Sequence, residues 1–289
     1  MDLFETQKLH PHIFKQFILK DILFLYYSCP QRDKILQLYS KHIQFNFTIS
    51  GKRIFHHGNN SWVSDQNKGL LVKKCAFLQE LPPDYEGWDV LVFYLKDDYL
   101  RAVFEEFRPY LNLDNLPDSN EEMLESFAID DQIRFGYQSL IPYFGSKREL
   151  PDSILEGKFK ELLFNIFVHP DNKHVLAYIL RIVDRYAVPI WKVMEENFMY
   201  DLKIKDFANI SNRSLSTFKT DFKNYYHTSP AKWLTERRLK RAKSILESSN
   251  KTIREIAFES GFNNASHFSR VFKDAFGMNP SDLRNVPTK

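Results

Sequence analysis

The sequence predicts an α+β protein, with a β-rich part first and an all-α part after it. Three observations support this fold class. Residues 43–49 alternate apolar and polar side chains with the period of two that a strand shows. Residues 204–280 contain one helical motif twice. The charge divides as well, because residues 201–289 hold 17 Lys/Arg and 9 Asp/Glu, whereas the first 200 residues hold 23 and 28.

Strands are expected throughout the first 95 residues. Between Ile43 and Ile49 the apolar side chains fall on one face and Gln44, Asn46 and Thr48 on the other, which predicts a half-buried strand. Further strands are expected at Ile22–Tyr27, Gly69–Val72 and Trp88–Leu95, with a hairpin turn at Gly58–Ser61. Several short strands at close spacing predict a small barrel or sandwich.

Helical spacing of the apolar residues begins after Leu95. It predicts helices at 97–110, 118–127, 154–166 and 175–186, with a break at 142–151. The third of these helices carries an apolar stripe that consists of Leu155, Phe159, Leu162 and Ile166. The stripe is interpreted as the core of its own domain or, alternatively, as a dimer interface. The second interpretation predicts weak self-association.

The composition is that of an ordinary globular protein, and 289 residues are enough for two domains. No apolar run reaches the roughly 18 residues that span a bilayer, and the start of the chain has no secretory signal pattern. Cys29 and Cys75 are the only cysteines and share no metal-ligand spacing, which favours packing roles in a reducing cytosol. The expected location is the cytoplasm, with no membrane contact.

No catalytic or cofactor-binding pattern is found in the first part of the chain. His56 and His57 are adjacent, so on a strand they would point to opposite faces and could not chelate one metal. The sequence contains neither a phosphate-binding Gly-rich loop nor a Gly-x-Ser-x-Gly elbow. We therefore expect no cofactor, no metal and no enzymatic activity.

The repeated motif reads as a helix-turn-helix. One copy runs from Ile204 to Pro230 and the other from Ile253 to Pro280. The copies align Phe218 with Phe268, Phe222 with Phe272 and Lys223 with Lys273. Each has a short helix with a small alanine, a turn and a longer helix that could enter a DNA major groove. Together with the basic charge of this part, the repeat predicts binding to double-stranded DNA.

The second helix of each copy is expected to read the DNA. Ser214 and Asn264 are predicted N-caps, and Gly261 occupies the turn of the second copy. The inward stripe of the first recognition helix is expected to consist of Leu215, Phe218 and Phe222. Eight residues then remain on the outward faces as candidate DNA contacts: Ser216, Lys219, Thr220, Lys223, Ser266, His267, Arg270 and Lys273. Arg270 stands out because arginine pairs bidentately with guanine.

Two more helices are expected around the motifs. An entry helix begins at Pro189, with an apolar stripe of Trp191, Met194 and Phe198. A connecting helix from Pro230 to Glu247 would be roughly 27 Å long, which can hold two recognition helices about one DNA turn apart. Its three central arginines are interpreted as solvated or internally paired rather than base-reading: Arg237, Arg238 and Arg241.

These residues resemble the DNA-binding domain of the AraC/XylS family of bacterial transcription regulators. The resemblance rests on the following segments: Arg238-Leu-x-x-Ala242, Ile253-x-x-Ile-Ala257, Gly261-Phe262, Phe268-x-x-x-Phe272-Lys and Asn279-Pro280. The first part resembles the cupin-like sensor domains of this family by strand pattern and position. The segments 69–78 and 191–198 resemble the branch that contains type III secretion activators, in which a protein antagonist can be the signal.

The resemblance implies a domain plan. It consists of a cupin-like β-rich regulatory and dimerisation domain at 1–170, a linker helix at 171–187 and a double helix-turn-helix DNA-binding domain at 188–289. It also implies contact with RNA polymerase and activation of transcription. Two positions depart from the family: Thr220 stands where arginine is frequent, and His227 replaces the usual glycine at the end of the first recognition helix.

The expected function is therefore a sequence-specific transcription regulator, an activator by family, with a small-molecule or protein effector and a homodimer as expected partners of the first domain. Two other classes of protein are alternatives. One is an enzyme fused to the DNA-binding domain, with the barrel acting as a metal-dependent oxygenase. The other is an alkyl-transfer repair protein, which would need more cysteines than Cys29 and Cys75.

Overall fold

A computed structural model of the chain describes residues 2–19, 21–84, 87–118, 122–145, 151–184 and 187–284. The chain divides into two compact units, Met1–Tyr186 and Ala187–Lys289. The first is β-rich and the second is helical, which confirms the α+β fold class.

The first unit begins with a short helix, α1 (Leu3–Lys8). Nine strands then follow: β1 (Lys15–Leu19), β2 (Ile22–Ser28), β3 (Ile35–Ser40), β4 (Ile43–Gly51), β5 (Arg53–His57), β6 (Asn60–Ser64), β7 (Lys68–Val72), β8 (Cys75–Glu80) and β9 (Trp88–Leu95). After them come α2 (Asp97–Phe107), β10 (Leu124–Ala128), α3 (Asp131–Gln138), α4 (Asp152–Val168) and α5 (Lys173–Val183). The strands predicted at 22–27, 69–72 and 88–95 are confirmed, and the predicted hairpin turn joins β5 to β6, with Gly58 at φ +60°.

The strands form two antiparallel sheets. The larger has six strands in the order β1-β2-β9-β4-β7-β10, and the smaller has four in the order β3-β8-β5-β6. One apolar cluster contains side chains from both sheets, such as Val92 of β9 and Phe77 of β8. A second cluster joins the other face of the six-stranded sheet to the helices, where Phe24 and Phe93 pack on Phe159 of α4. The six-stranded sheet is therefore buried on both faces.

This layering corrects the prediction that β4 is half-buried. Gln44, Asn46 and Thr48 on its polar face are each only 2% exposed. The polar face lies inside the unit, where two of its side chains are hydrogen-bonded: Asn46 Nδ2 donates to the Leu70 carbonyl at 3.2 Å, and Trp88 Nε1 donates to Thr48 Oγ1 at 3.0 Å. The alternation of apolar and polar residues assigns the side chains of β4 to the correct faces, but it does not show that both faces are buried.

The helix predicted at 118–127 is wrong in its described part. Leu124–Ala128 is β10, which pairs with β7 from Leu124 opposite Val72 to Ala128 opposite Lys68. The ring of Phe127 lies over Gly69, where a Cβ atom would come within 2.0 Å of it. Pairing with a strand some fifty residues earlier in the chain therefore decides the conformation, and local spacing does not reveal it.

The apolar stripe of α4 belongs to the core. Leu155, Phe159, Leu162 and Ile166 are between 0% and 4% exposed, so the core interpretation is confirmed and the use of this stripe as a dimer interface is wrong. The segment expected to be a linker helix contains α5, whose apolar face, including Val175 and Ile179, lies in the same core. A helix that buries one face in a domain belongs to that domain rather than to a linker.

Every regular element in the described part of the second unit is a helix. In chain order these are α6 (Ile190–Asn197), α7 (Ile204–Ile210), α8 (Leu215–Tyr226), α9 (Pro230–Ser248), α10 (Ile253–Glu259), α11 (Ala265–Phe276) and α12 (Pro280–Arg284). The predicted pairs of helices are α7 with α8 and α10 with α11, and the predicted connecting helix is α9. Among all described residues, no helix is long and apolar enough to cross a membrane.

Candidate nucleic-acid interface

Both motifs are built around a small alanine and two phenylalanines. In the first motif Ala208 of α7 is 1% exposed, and Phe218 and Phe222 of α8 are fully buried. In the second motif Ala257 of α10, Phe268 and Phe272 of α11 are fully buried in one cluster. The small alanine allows the two helices to approach closely, and the phenylalanines attach the recognition helix to its scaffold. This arrangement confirms the predicted inward positions at these residues.

The turns correspond as well. Gly261 has φ +90°, and its counterpart in the first motif, Asn212, has φ +56°. The next residue in each turn donates its backbone N–H to the alanine carbonyl, from Arg213 to Ala208 at 3.0 Å and from Phe262 to Ala257 at 2.9 Å. Asparagine is among the few residues that tolerate this left-handed conformation, so the first turn forms without glycine.

The recognition helices have matching ends. Ser214 Oγ accepts from the backbone N–H of Thr217 at 3.1 Å, and Asn264 Oδ1 accepts from that of His267 at 2.9 Å, which confirms both predicted N-caps. At the other end, His227 (φ +55°) and Gly277 (φ +77°) are both left-handed, and each donates its N–H to the carbonyl four residues earlier. The substitution of histidine for glycine therefore leaves the turn geometry intact.

All eight predicted DNA contacts lie on exposed surface. Four of them are cations: Lys219 and Lys223 on α8, and Arg270 and Lys273 on α11. None of the four side chains makes a hydrogen bond or an ion pair with the residues that the structure describes. A cation without an internal partner is available to a phosphate or to a base edge, so each recognition helix presents two such groups.

The repeat also reveals a surface residue that spacing alone missed. The alignment that places Phe218 opposite Phe268 places Thr217 opposite His267, and Lys219 opposite Ser269. Thr217 is exposed, whereas Ser269 is half-buried and donates its hydroxyl to the Ala265 carbonyl at 2.9 Å. Thr217 therefore belongs with the outward residues of α8, and Lys219 has no equivalent on α11. The alignment of the two copies contains this signal, because it pairs Thr217 with a predicted contact, His267.

Two predicted inward side chains prove to be exposed. Leu215 is 38% exposed because it is the first residue of α8, and the core contacts of this helix begin at Phe218. Trp191 is 47% exposed, while Ile190, Val193 and Met194 form the buried face of α6. Met194 and Phe198 of the predicted stripe are buried, at 0% and 4% exposed, so the prediction for the entry helix is wrong only at Trp191.

The connecting helix uses its arginines internally. Arg237 donates two hydrogen bonds to Glu195 Oε2, at 2.9 and 2.8 Å, and Arg241 Nε donates to the Glu259 carbonyl at 3.3 Å. Arg238 donates to the carbonyls of Phe198 and Tyr200, both at 2.7 Å. Burial lowers the pKa of Arg238 to about 10, so the group remains charged at neutral pH. All three arginines therefore have internal partners, in agreement with the prediction that they are solvated or internally paired.

Arg213 connects the first recognition helix to the start of the unit. Its Nε donates to Asp221 Oδ2 on α8 at 3.0 Å, and its Nη1 donates to the Val188 carbonyl at 2.6 Å. The equivalent residue of the second motif is Phe262, which is 5% exposed and packs against Phe268 with ring centroids 5.1 Å apart. The two motifs thus support their recognition helices by different chemistry, polar in the first and apolar in the second.

No ligand set for a metal is present among the described residues, since no three His, Cys, Asp or Glu side chains cluster there. His56 instead lies against Glu80, with Nε2 and Oε2 2.9 Å apart, and His57 is buried.

Two family profiles match the chain. A helix-turn-helix domain matches residues 207–285, and the ExsA N-terminal regulatory domain matches residues 44–178. The virulence regulon transcriptional activator VirF of Yersinia enterocolitica is 30% identical over 236 residues, which cover 82% of this chain and 86% of VirF. The transcriptional regulator ExsA of Pseudomonas aeruginosa is 31% identical over 136 residues, which cover 47% of this chain and 49% of ExsA.

Among solved structures, apo ToxT from Vibrio cholerae strain SCE256 is similar to the chain. It has a TM-score of 0.46 and 15% identity, and the match covers 93% of this chain and 99% of ToxT.

Proposed function

Since the chain belongs to the AraC/XylS family of bacterial transcription regulators, we propose that it binds promoter DNA with α8 and α11 in successive segments of the major groove. One observation carries the proposal: two N-capped helices on matching scaffolds each present cations that have no partner among the described residues. The amino end of such a helix is the part that reaches base edges.

The proposed contacts divide into two kinds. Arg270 is the proposed reader of a guanine, because its fork can pair with two acceptors on one base edge. Lys219, Lys223 and Lys273 are proposed to position the protein on phosphates. The smaller polar side chains complete the proposed reading surface: Ser216, Thr217, Thr220, Ser266 and His267.

The equivalent positions Arg270 and Thr220 allow a matched test of this division. Arg270→Ala is expected to weaken binding by about 1–3 kcal/mol and to relax the preference at one base pair, whereas Thr220→Ala is expected to cost less. Both variants of the full chain would be selected against a randomised DNA library. If Arg270→Ala kept the affinity and the motif while Thr220→Ala abolished binding, the assignment of the reading faces would be wrong.

We further propose that the protein activates transcription through contact with RNA polymerase. The support is that similar proteins such as VirF are named transcriptional activators. Transcription in vitro from a selected site placed upstream of a weak promoter tests this. Increased transcript with the protein present supports activation, and decreased transcript would make the protein a repressor.

The proposed location of the protein is the cytoplasm, because a bacterial transcription regulator acts on DNA there. No enzymatic activity is proposed.

The proposed role of the first unit, Met1–Tyr186, is regulation, and that of the second unit, Ala187–Lys289, is DNA binding. The support is the match of residues 44–178 to a regulatory domain. A small molecule or a protein is the proposed effector of this unit, and a second copy of the chain is the other proposed partner. Because the core stripe of α4 is internal, the proposed contact between copies uses the outward face of this helix, where Ile154 and Val168 are 44% and 43% exposed.

A further inference from the structure

We infer that the Arg238 side chain and the bare backbone of Gly261 fix the angle between the two helix-turn-helix motifs, and thereby determine the spacing between the two half-sites that the protein reads. The inference rests on the proposed DNA-binding function. It concerns two residues that are not among the candidate DNA contacts.

Arg238 extends from α9 to the loop that connects α6 and α7. Its Nε donates to the Phe198 carbonyl and its Nη2 to the Tyr200 carbonyl, both at 2.7 Å. Phe198 directly follows the last residue of α6, so the guanidinium supplies donors and positive charge at a helix end whose carbonyls lack intrahelical partners. This loop leads into α7, and Arg238 is therefore attached to the first motif.

The turn of the second motif lies against the same loop between α6 and α7. A Cβ atom on Gly261 would lie 2.8 Å from Arg238 Nε, 2.9 Å from the Phe198 carbonyl oxygen and 2.9 Å from that of Met199. Two of these three neighbours are backbone atoms, which cannot move aside as the end of a flexible side chain can. The backbone of the second motif therefore lies directly against the loop of the first, with the guanidinium of Arg238 between them.

The first motif shows that the turn itself does not demand glycine. Asn212, the counterpart of Gly261, adopts the same left-handed conformation and is exposed. The requirement at 261 therefore comes from the close approach of the two motifs. Arg237 and Arg241 on the same helix differ from Arg238, because the first bonds to α6 and the second to the end of α10. Arg238 contacts both motifs.

If Arg238 and Gly261 hold the two motifs at a fixed angle, the protein should prefer one spacing between its half-sites on DNA. Inserting one base pair between two half-sites moves them apart by about 3.4 Å and rotates them by about one tenth of a turn. A rigid protein cannot follow both changes and must lose contacts at one half-site. A variant whose two motifs can move relative to each other adapts to the added distance and rotation in part, so its preference for one spacing weakens.

The test uses the full chain and a bipartite site selected from a randomised library. Gly261→Asn adds a side chain that the equivalent position 212 accepts at positive φ. It is therefore expected to disturb the contact between the two motifs more than the backbone conformation of the turn. Asn212→Gly is the matched control at the exposed turn. Arg238→Lys keeps the charge but loses the fork that bonds two carbonyls. Dissociation constants are measured for the selected spacing, for spacings one base pair longer and shorter, and for a single half-site.

For the wild type, a change of spacing is expected to weaken binding about tenfold or more, comparable to one misread base pair. Gly261→Asn and Arg238→Lys are expected to reduce this ratio to about threefold or less, while Asn212→Gly keeps it. If Gly261→Asn and Arg238→Lys lower the affinity for every DNA by the same factor, the two residues have only a structural role and the inference is wrong. If the wild type selects no bipartite site, the proposed function itself fails.

Discussion

His227 is a residue in a strained conformation. It ends α8 with φ +55°, where Gly277 ends α11 with φ +77°. A side chain other than glycine pays roughly 1 kcal/mol or more for this left-handed geometry, although glycine also gains freedom in the unfolded chain. The fold tolerates the histidine because its N–H still bonds to the Lys223 carbonyl at 2.9 Å.

We predict that His227→Gly stabilises the first motif by about 0.5–1 kcal/mol. The reason is the removal of the Cβ atom from a left-handed residue. Native-state hydrogen exchange of the α8 amides measures the change in opening free energy. Gly277→Ala is the matched reverse variant and is expected to destabilise α11 by a similar amount. An unchanged or lower protection of α8 in His227→Gly would contradict the prediction.

A second residue-scale prediction concerns His42 in the first unit. Burial lowers the pKa of His42 to about 4, and the positive charges of Lys41, Lys74 and Lys96 act in the same direction, against a smaller opposite effect of Asp97. The folded state therefore excludes a proton that the unfolded chain binds below about pH 6.5. Stability contributed by the neutral ring is present above pH 6.5 and is lost as the pH falls from 6.5 to 4.

The His42→Phe variant tests this linkage, because it keeps a ring against Phe4, whose centroid lies 4.5 Å from that of His42. The melting temperature of the wild type is expected to fall more steeply than that of the variant between pH 6.5 and 4. The difference between the two curves isolates His42 from the other titrating groups. Parallel curves over this range would show that His42 does not contribute.

At the scale of elements, α4 has one face that is buried in the core and one that is exposed. Leu162 is fully buried between the sheet and the neighbouring helices, while Ile154 lies on the outward face. Leu162→Ala is expected to lower the free energy of unfolding by about 2–5 kcal/mol because it leaves a cavity. Urea unfolding of the full chain measures it. A loss below about 1 kcal/mol would show that the helix does not pack as described.

The outward face carries the proposed self-association. Ile154→Glu is expected to leave the stability close to that of the wild type and to shift the sedimentation of the full chain toward the monomer. Leu162→Ala serves as the control that damages the core without altering this face. A wild type that remains monomeric at high concentration would refute self-association, and an unaffected dimer in Ile154→Glu would refute this face.

At the scale of the molecule, charge is divided between the two parts of the chain. Residues 201–289 carry an excess of eight positive charges, and the first 200 residues an excess of five negative charges. Part of the positive excess is used internally by Arg213, Arg237 and Arg238, so the DNA surface depends on cations such as Lys219 and Arg270. Such a surface should bind DNA with strong dependence on salt.

If about six phosphates are neutralised, the logarithm of the binding constant should fall with the logarithm of the salt concentration at a slope near −5. Titration of a selected DNA fragment with the full chain measures this slope. Lys219→Ala is expected to make it shallower by about one and to weaken binding to all sequences alike. A slope close to zero for the wild type would refute phosphate-based binding.

The sequence by itself determined the features whose causes are local. The repeat, the caps Ser214 and Asn264 and the buried pair Phe218 and Phe222 follow from the spacing of residues within one or two helical turns, so they could be predicted with their positions. The class of protein followed from the same residues, because a recognition helix with its cap and its outward cations is a local unit.

Tertiary structure decided whatever depends on elements that are distant in the chain. The polar face of β4 is buried because a second sheet covers it, and Leu124–Ala128 is a strand because β7 is available to pair with it. The sequence left open whether Arg238 is solvated or internally paired, and the structure shows its guanidinium bonded to the carbonyls of Phe198 and Tyr200, which belong to a segment some forty residues earlier in the chain. Periodicity records which side chains share a face, but what covers that face is supplied by the rest of the fold.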